Sequence, residues 1–231
     1  MCSWARKFMQ WSADFLTSSE TCILLMTKTP ILGDVKSRLA TEIGETSALE
    51  LYTCFLKDMV ETLRGLDADY IIYYTPEESL DLLKNYLGAN HKFVPQVGND
   101  LGERIYQGLE IAHTLGYQYS IALASDVPDI TENYLRKARM ELMRHQAVIG
   151  PSHDGGYNLI GFNLEDINSG FFNGLQWSTE NVYMETLKRL SGVDIYVLPV
   201  WGDVDKTSDL FDLDLDKTTY TYKYIKEHKL I

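Results

Sequence analysis

An α/β fold with a mainly parallel sheet covered by helices on both faces is predicted by three features of the sequence. Short apolar runs alternate with longer segments of helical periodicity. Several of those runs are too uniformly apolar to have a solvent face. Polar, charged or glycine-containing punctuation follows them directly. Such alternation is the signature of strands joined through crossover helices. In sheets of this kind ligands bind beyond the carboxyl ends of the strands, where the strand order reverses.

The first run, residues 21–27 (TCILLMT), reads as a buried strand. A loop containing Pro30 and Gly33 follows, and then a helix over 46–64. Strand 70–74 (YIIYY) precedes a helix over 76–87 and a short extended piece at 92–95. A helix fits 102–115, with strand 120–124 (SIALA) after it. Residues 131–145 read as a helix, with Thr131 as N-cap and Arg144 and His145 in its last turn. Runs 147–149 and 157–162 read as strands on either side of a glycine turn. A helix over 179–190 and a strand over 194–200 come next, and short helical segments close the chain.

With no Pro/Gly/Ser-rich linker and no internal repeat, residues 21–231 are expected to form one domain. Residues 1–20 form an N-terminal extension in which Trp4, Phe8, Trp11 and Phe15 fall on one face of a helix. That face suits docking on the body or on a second copy, as in a homodimer. An interfacial membrane helix and a disordered tail are the alternatives, the former weakened because only Arg6 and Lys7 supply positive charge.

The formal charge of −12 argues against nonspecific nucleic-acid binding, which needs a basic surface. No apolar run reaches the ~18 residues of a membrane span, and the first twenty residues lack the apolar stretch of a signal peptide. Cys2, Cys22 and Cys54 form neither a CxxC pair nor a Cys/His ligand cluster, which suits a reducing cytoplasm.

Four segments carry chemistry. After the first strand, Lys28, Lys36 and Arg38 fall in a loop turned by Pro30 and Gly33 within an otherwise acidic chain. Lysine offers a phosphate a point charge and arginine a two-pronged donor. The same cations could equally pair with surface carboxylates, and neither GxxxxGK[ST] nor GxGxxG is present. Asp126 follows strand 120–124 directly, where a rigid, half-desolvated carboxylate suits a hard divalent cation. Its alternative role is a turn or cap residue before the next helix. Asp203 and Asp205 follow strand 194–200, and alternation puts both on one side of an extended backbone. Finally, Asp154-Gly155-Gly156 lies between two strands, where paired glycines either make a hairpin or admit a ligand to the backbone. His153 beside it is a candidate base, or simply an exposed histidine.

Six ordered motifs between Ile23 and Leu213 resemble a family of bacterial and archaeal GT-A-fold transferases, often labelled glycosyltransferases and linked to arsenosugar biosynthesis. That family is related to the molybdenum-cofactor and phospholactate guanylyltransferases. The motifs are the loop from Lys28 to Leu39, Gly98-Asn99-Asp100-Leu101-Gly102-Glu103-Arg104, Ser125-Asp126 with Pro128, the segment from Gly150 to Gly161, Trp177-Ser178-Thr179, and Asp203 to Lys206. The resemblance implies a three-layer, Rossmann-like nucleotide-diphospho-sugar transferase fold. It implies that Lys28, Gly33, Lys36, Ser37 and Arg38 cradle nucleotide phosphates, with Gly102 and Arg104 on the nucleotide side. Asp126 and Asp205 would hold Mg²⁺ or Mn²⁺, while Asp154, Gly155, Gly156 and Trp177 would face the sugar or acceptor. Asp126, Asp154 and Lys36 would carry the catalysis. Lys206 and Ser208 depart from the family's usual threonine and acidic residue around Asp205.

The reaction expected first is glycosyl transfer from a nucleotide-diphospho-sugar to a small acceptor. Its alternative is nucleotidyl transfer from a nucleoside triphosphate to a phosphorylated small molecule, and a third reading is a non-catalytic nucleotide-binding protein on the same fold.

Overall fold

A computed structural model of the protein describes residues 18–165 and 167–231. The helix expected at Trp4 to Phe15 lies outside the described residues. The order of elements begins β1 (Thr21–Lys28), α1 (Ser37–Ile43), α2 (Glu45–Arg64), β2 (Asp69–Thr75), α3 (Leu80–Leu87), β3 (Phe93–Pro95), α4 (Leu101–Thr114) and β4 (Tyr119–Ala124). It continues with α5 (Glu132–Leu142), β5 (Ala147–Pro151), β6 (Tyr157–Asn163), α6 (Val182–Arg189), β7 (Ile195–Val197) and α7 (Tyr220–His228). Single turns of 3₁₀ helix occupy Glu77–Ser79 and Ser169–Phe171, and a longer one spans Thr207–Phe211.

The strands form one seven-stranded sheet in the order β3-β2-β1-β4-β6-β5-β7. Only β6 runs antiparallel to its neighbours, which makes this the mostly parallel, Rossmann-like architecture of nucleotide-diphospho-sugar transferases. Alternation along the strands divides the core into two layers. Ile23, Leu25, Ile72, Ile121 and Leu123 pack on one face against α1, α2, α5 and α7; Cys22, Leu24, Ile71, Tyr73 and Ala122 pack on the other against α4. Helix α2 shows why its register is fixed. Ala48, Leu51, Tyr52, Phe55, Leu56, Met59, Val60 and Leu63 are buried at steps of three, one, three, one, three, one and three, a single stripe along the helix. Asp58 on the same helix is also buried, and its carboxylate accepts the Tyr220 and Thr221 N–H groups at 2.7 and 2.8 Å, capping α7.

Several boundaries differ from the sequence expectation for identifiable reasons. Helix α1 falls in a segment that reads as loop, because it buries one residue, Leu39, and so has no apolar period. The expected strand 194–200 shortens to Ile195–Val197, an edge strand paired on one side only. The expected helix 179–190 starts at Val182, because 179–181 form a turn closed by the Val182 N–H donating to Thr179 O at 3.3 Å. The strand β1 lies between β2 and β4, so the connections leave it in opposite directions on the two sides. That reversal opens a crevice beyond Lys28 and Ala124, the carboxyl ends of β1 and β4.

Candidate functional site

A cavity of about 670 Å³ fills this crevice. Its first wall is the loop leaving β1. Thr29 anchors the loop by donating its N–H to Thr75 O at 2.8 Å, and Lys28 turns its Nζ back onto Asp34 O at 2.5 Å. Gly33 supplies φ +81° in the intervening turn. Lys36 then takes φ 49° and ψ 49°, the left-handed region, immediately before α1. A non-glycine residue there costs ~1–2 kcal/mol, and strain of this kind collects where the surroundings hold a side chain in place. Lys36 has such surroundings. Its side chain is 8% exposed, and Nζ lies 2.8 Å from Asp126 Oδ2 and 3.3 Å from Asp205 Oδ1. Burial works to lower the ammonium's pKa, but Asp126 and Asp205 outweigh it and hold Lys36 charged well above its ordinary range. Arg38 completes the set, with NH1 2.9 Å from Asp205 Oδ2.

Asp126 enters from the tip of β4. The preceding Ser125 hydroxyl shares a 2.8 Å hydrogen bond with Tyr52 of α2, whose phenol burial pushes up to about 12. The tip is thus fixed from beneath by a neutral pair. The third strand of chain, residues 201–206, is tied on by backbone: Trp201 N–H donates to Pro151 O and Val204 N–H to Asp126 O, each at 3.0 Å. Asp209 Oδ2 accepts from Asp205 N–H at 2.8 Å and Lys206 N–H at 2.7 Å, which orders the turn carrying Asp205. Thr207 bonds Glu42 of α1, so the two ends of the site are linked directly.

These contacts bring Asp126, Asp203 and Asp205 together, with one carboxylate oxygen of each within 4.8 Å of the others. Asp203 is the member that spacing had placed beside Asp205 without assigning it a role. Burial first, and then the charges of Asp126, Asp154 and Asp205, push its carboxyl up to about 6 despite the opposing Lys36. Three carboxylates with two paired cations leave an excess of negative charge. An all-oxygen donor set of this kind fits a hard divalent cation such as Mg²⁺ or Mn²⁺.

The opposite wall is the β5–β6 turn and the segment before α6. Asp154 Oδ1 accepts from Gly156 N–H at 2.9 Å and from the Ser152 hydroxyl. Gly155 has φ +87°, and a Cβ there would lie 2.1 Å from Glu180 O, so close approach of two backbones requires glycine. The register shifts between Gly150 and Pro151, whose partners are Leu159 and Tyr157. Asn158 is therefore an inserted residue, and the bulge lets Tyr157 pack on the same side as Ile160. Trp177 meets Tyr157 edge-on, with ring centroids 6.2 Å apart.

Lys28, Lys36, Ser37, Arg38, Asp126, Asp154, Gly156, Trp177 and Asp205 all line the cavity, whereas Gly33, Gly155, Gly102 and Arg104 do not. The segment 98–104 uses its groups internally. Asp100 Oδ1 caps α4 through Glu103 N–H at 2.8 Å, Glu103 Oε2 accepts Asn99 N–H at 2.8 Å, and Arg104 Nε donates to Gly98 O at 3.1 Å. Gly102 is buried where a Cβ would meet Phe172 O and Trp177 at 2.9 Å. Leu101 and Ile105 from the same helix reach the cavity instead. His153 is not among the lining residues.

Residues 59–179 match the family model described as "Uncharacterized protein conserved in bacteria (DUF2064)". A solved structure from Desulfovibrio desulfuricans G20, described as a nucleotide-diphospho-sugar transferase, is 35% identical, with TM-score 0.87 over 91% of this chain and 96% of its own. The 2-phospho-L-lactate guanylyltransferase of Methanocaldococcus jannaschii is 25% identical over 200 residues, 84% of each chain. The 4-diphosphocytidyl-2C-methyl-D-erythritol synthase of Anaerococcus prevotii DSM 20548, at 12% identity and TM-score 0.54, shares the fold over 89% of this chain and 98% of its own. Among the described residues no helix is long and apolar enough to cross a membrane.

Proposed function

Because the chain belongs to the DUF2064 family, and its cationic loop meets a carboxylate cluster at the edge of one cavity, we propose that it is a metal-dependent nucleotidyltransferase. Its substrates are a nucleoside triphosphate and a small acceptor. The observation that carries this reading is the convergence of Lys36, Asp126, Asp203 and Asp205 beside the loop after β1. The similarity to the guanylyltransferase, which by its name carries out a nucleotidyl transfer, supports it over glycosyl transfer.

Lys28, Ser37 and Arg38 bind the triphosphate from the first wall. Lys36, fixed between Asp126 and Asp205, presents a charge that needs no reorganisation when phosphate charge develops. Asp126, Asp203 and Asp205 would hold Mg²⁺ or Mn²⁺, which when bound neutralises phosphate charge and orients the leaving group. The acceptor oxygen attacks the α-phosphorus in line, and pyrophosphate leaves. Asp154 faces the acceptor from the second wall, with Oδ1 fixed by Ser152 and Gly156. Holding both reactants in one crevice supplies much of the rate through orientation.

Glycosyl transfer is the second reading, favoured by the description of the 35% identical Desulfovibrio desulfuricans structure. The two separate by product. With Mg²⁺ present, nucleotidyl transfer releases pyrophosphate from a nucleoside triphosphate. Glycosyl transfer releases nucleoside diphosphate from a nucleotide sugar and no pyrophosphate, and that result would overturn the proposal.

A further inference from the structure

The cations that line the cavity all stand on one of its walls. Among its lining residues the cations are Lys28, Lys36 and Arg38, all between the end of β1 and the first turn of α1. The second wall, formed by the β5–β6 turn and the segment before α6, presents Asp154 and, among the described residues, no cation. Asp154 Oδ1 is occupied by Ser152 and Gly156, while Oδ2 accepts no hydrogen bond from the described residues. Trp177 lines the same wall, and its buried indole N–H has no partner among the described residues. An indole N–H can only donate, and an unmet buried donor is one a ligand oxygen can satisfy.

A phosphate monoester carries close to two negative charges at neutral pH. Bound at this wall it would meet the Asp154 carboxylate and no lining cation, while the three cations opposite are engaged by the triphosphate. An alcohol has no such conflict. One hydroxyl can donate to Asp154 Oδ2, another oxygen can accept from Trp177, and the C–H face of a sugar ring packs on the Trp177 and Tyr157 aromatics.

We infer that the acceptor is an uncharged, polyhydroxylated, sugar-like molecule that receives the nucleotidyl group on a hydroxyl oxygen rather than on a phosphate. The reaction type rests on the nucleotidyl-transfer reading; the acceptor's charge rests on the wall. The hydroxyl oxygen forms its bond to the α-phosphorus as the bond from that phosphorus to the pyrophosphate oxygen breaks. Pyrophosphate leaves with the bonding pair, and the hydroxyl proton passes to Asp154 Oδ2 and then to water. The guanylyltransferase relatives, by their name, act on a phosphorylated acid; this wall selects against one here.

The test uses the full chain with Mg²⁺ and each of the four ribonucleoside triphosphates. Pyrophosphate release is measured with paired acceptors: glycerol and glycerol 3-phosphate, glucose and glucose 6-phosphate, N-acetylglucosamine and its 6-phosphate. At least tenfold faster release is expected with a free alcohol than with its phosphate ester, and Asp154→Lys should shrink that ratio. Faster release with the esters would overturn the acceptor class and leave nucleotidyl transfer standing. Nucleoside diphosphate release from nucleotide sugars with the same alcohols, and no pyrophosphate, would overturn nucleotidyl transfer and leave the acceptor class standing. Where no pair turns over, unfolding midpoints are compared with an α,β-methylene triphosphate and Mg²⁺ bound. A rise with the alcohols alone supports the inference. A rise with the esters, or with neither class, overturns it.

Discussion

Two segments of this chain look alike as sequence and behave differently as structure. Residues 28–38 and 98–104 each follow a strand and each combine glycine, acid and arginine or lysine. In the second, every one of those groups is consumed locally: Asp100 and Glu103 cap a helix, Arg104 holds Gly98 O, and Gly102 makes room for Phe172 and Trp177. In the first, Lys36 accepts an unfavourable backbone to deliver its ammonium to carboxylates from two remote segments. Local satisfaction marks a structural motif. Strain directed at a charge excess marks a candidate site, because nothing in the folding of the loop alone would select it.

The largest break in this comparison should come from Asp126→Asn. The carboxylate at the tip of β4 meets Lys36 at 2.8 Å and belongs to the three-carboxylate set, so its loss should lower turnover by at least ~10²-fold. Cooperative unfolding should persist, since Ser125, Tyr52 and the Val204 N–H to Asp126 O bond remain. Pyrophosphate release and a denaturant melt measure the two effects. A variant that no longer unfolds cooperatively would make Asp126 a structural residue.

Next in size is Lys36→Ala, which removes a charged hydrogen-bond donor from the phosphate side and should weaken nucleotide binding by ~1.5–3 kcal/mol. Calorimetric titration with a nucleoside triphosphate and Mg²⁺ reads this directly, and an unchanged dissociation constant would remove Lys36 from the phosphate site. Asp100→Ala is the counterpart in the other segment. It should destabilise the protein by ~1 kcal/mol, the usual worth of an N-cap. Nucleotide affinity should hold, because Asp100 spends its carboxylate on Glu103 N–H. A large affinity loss in Asp100→Ala with stability unchanged would reverse the assignment of the two segments.

The sequence was most legible where burial is uniform. The apolar runs of β1, β2 and β4 read correctly because parallel strands covered on both faces must be apolar throughout. Asp126 at a strand tip, and the cations after β1, were readable for the same reason: the strand ends fix where the polar residues stand. Helix α1 was not, because one buried leucine makes no pattern. The internal use of Arg104 was not readable either, since sequence gives a residue's chemistry but not the carbonyl it turns to meet. The bulge at Asn158, which sets the direction of Tyr157, left no signal beyond an ordinary Tyr-Asn-Leu. Asp203 stands beside Asp205 by alternation, but the approach of Asp126, Asp154 and Lys36 from remote parts of the chain completes its charged environment, and no local pattern signals it.

Asp203→Asn gives the smallest effect and the sharpest distinction. In the metal-free protein Asp203 is half-buried among three other carboxylates, so its charge opposes folding at pH 7. Replacing it with an isosteric amide removes that opposition and should raise metal-free stability by about 1 kcal/mol in EDTA. The same change should shrink the stabilisation gained on adding Mg²⁺ or Mn²⁺, because one of three oxygen donors loses its charge. Thermal melts with and without metal measure both terms. A group serving only the fold would give loss of stability in both buffers. A gain without metal, joined to a loss of metal response, requires that these carboxylates were gathered for a cation, since the chain alone folds better with one fewer charge.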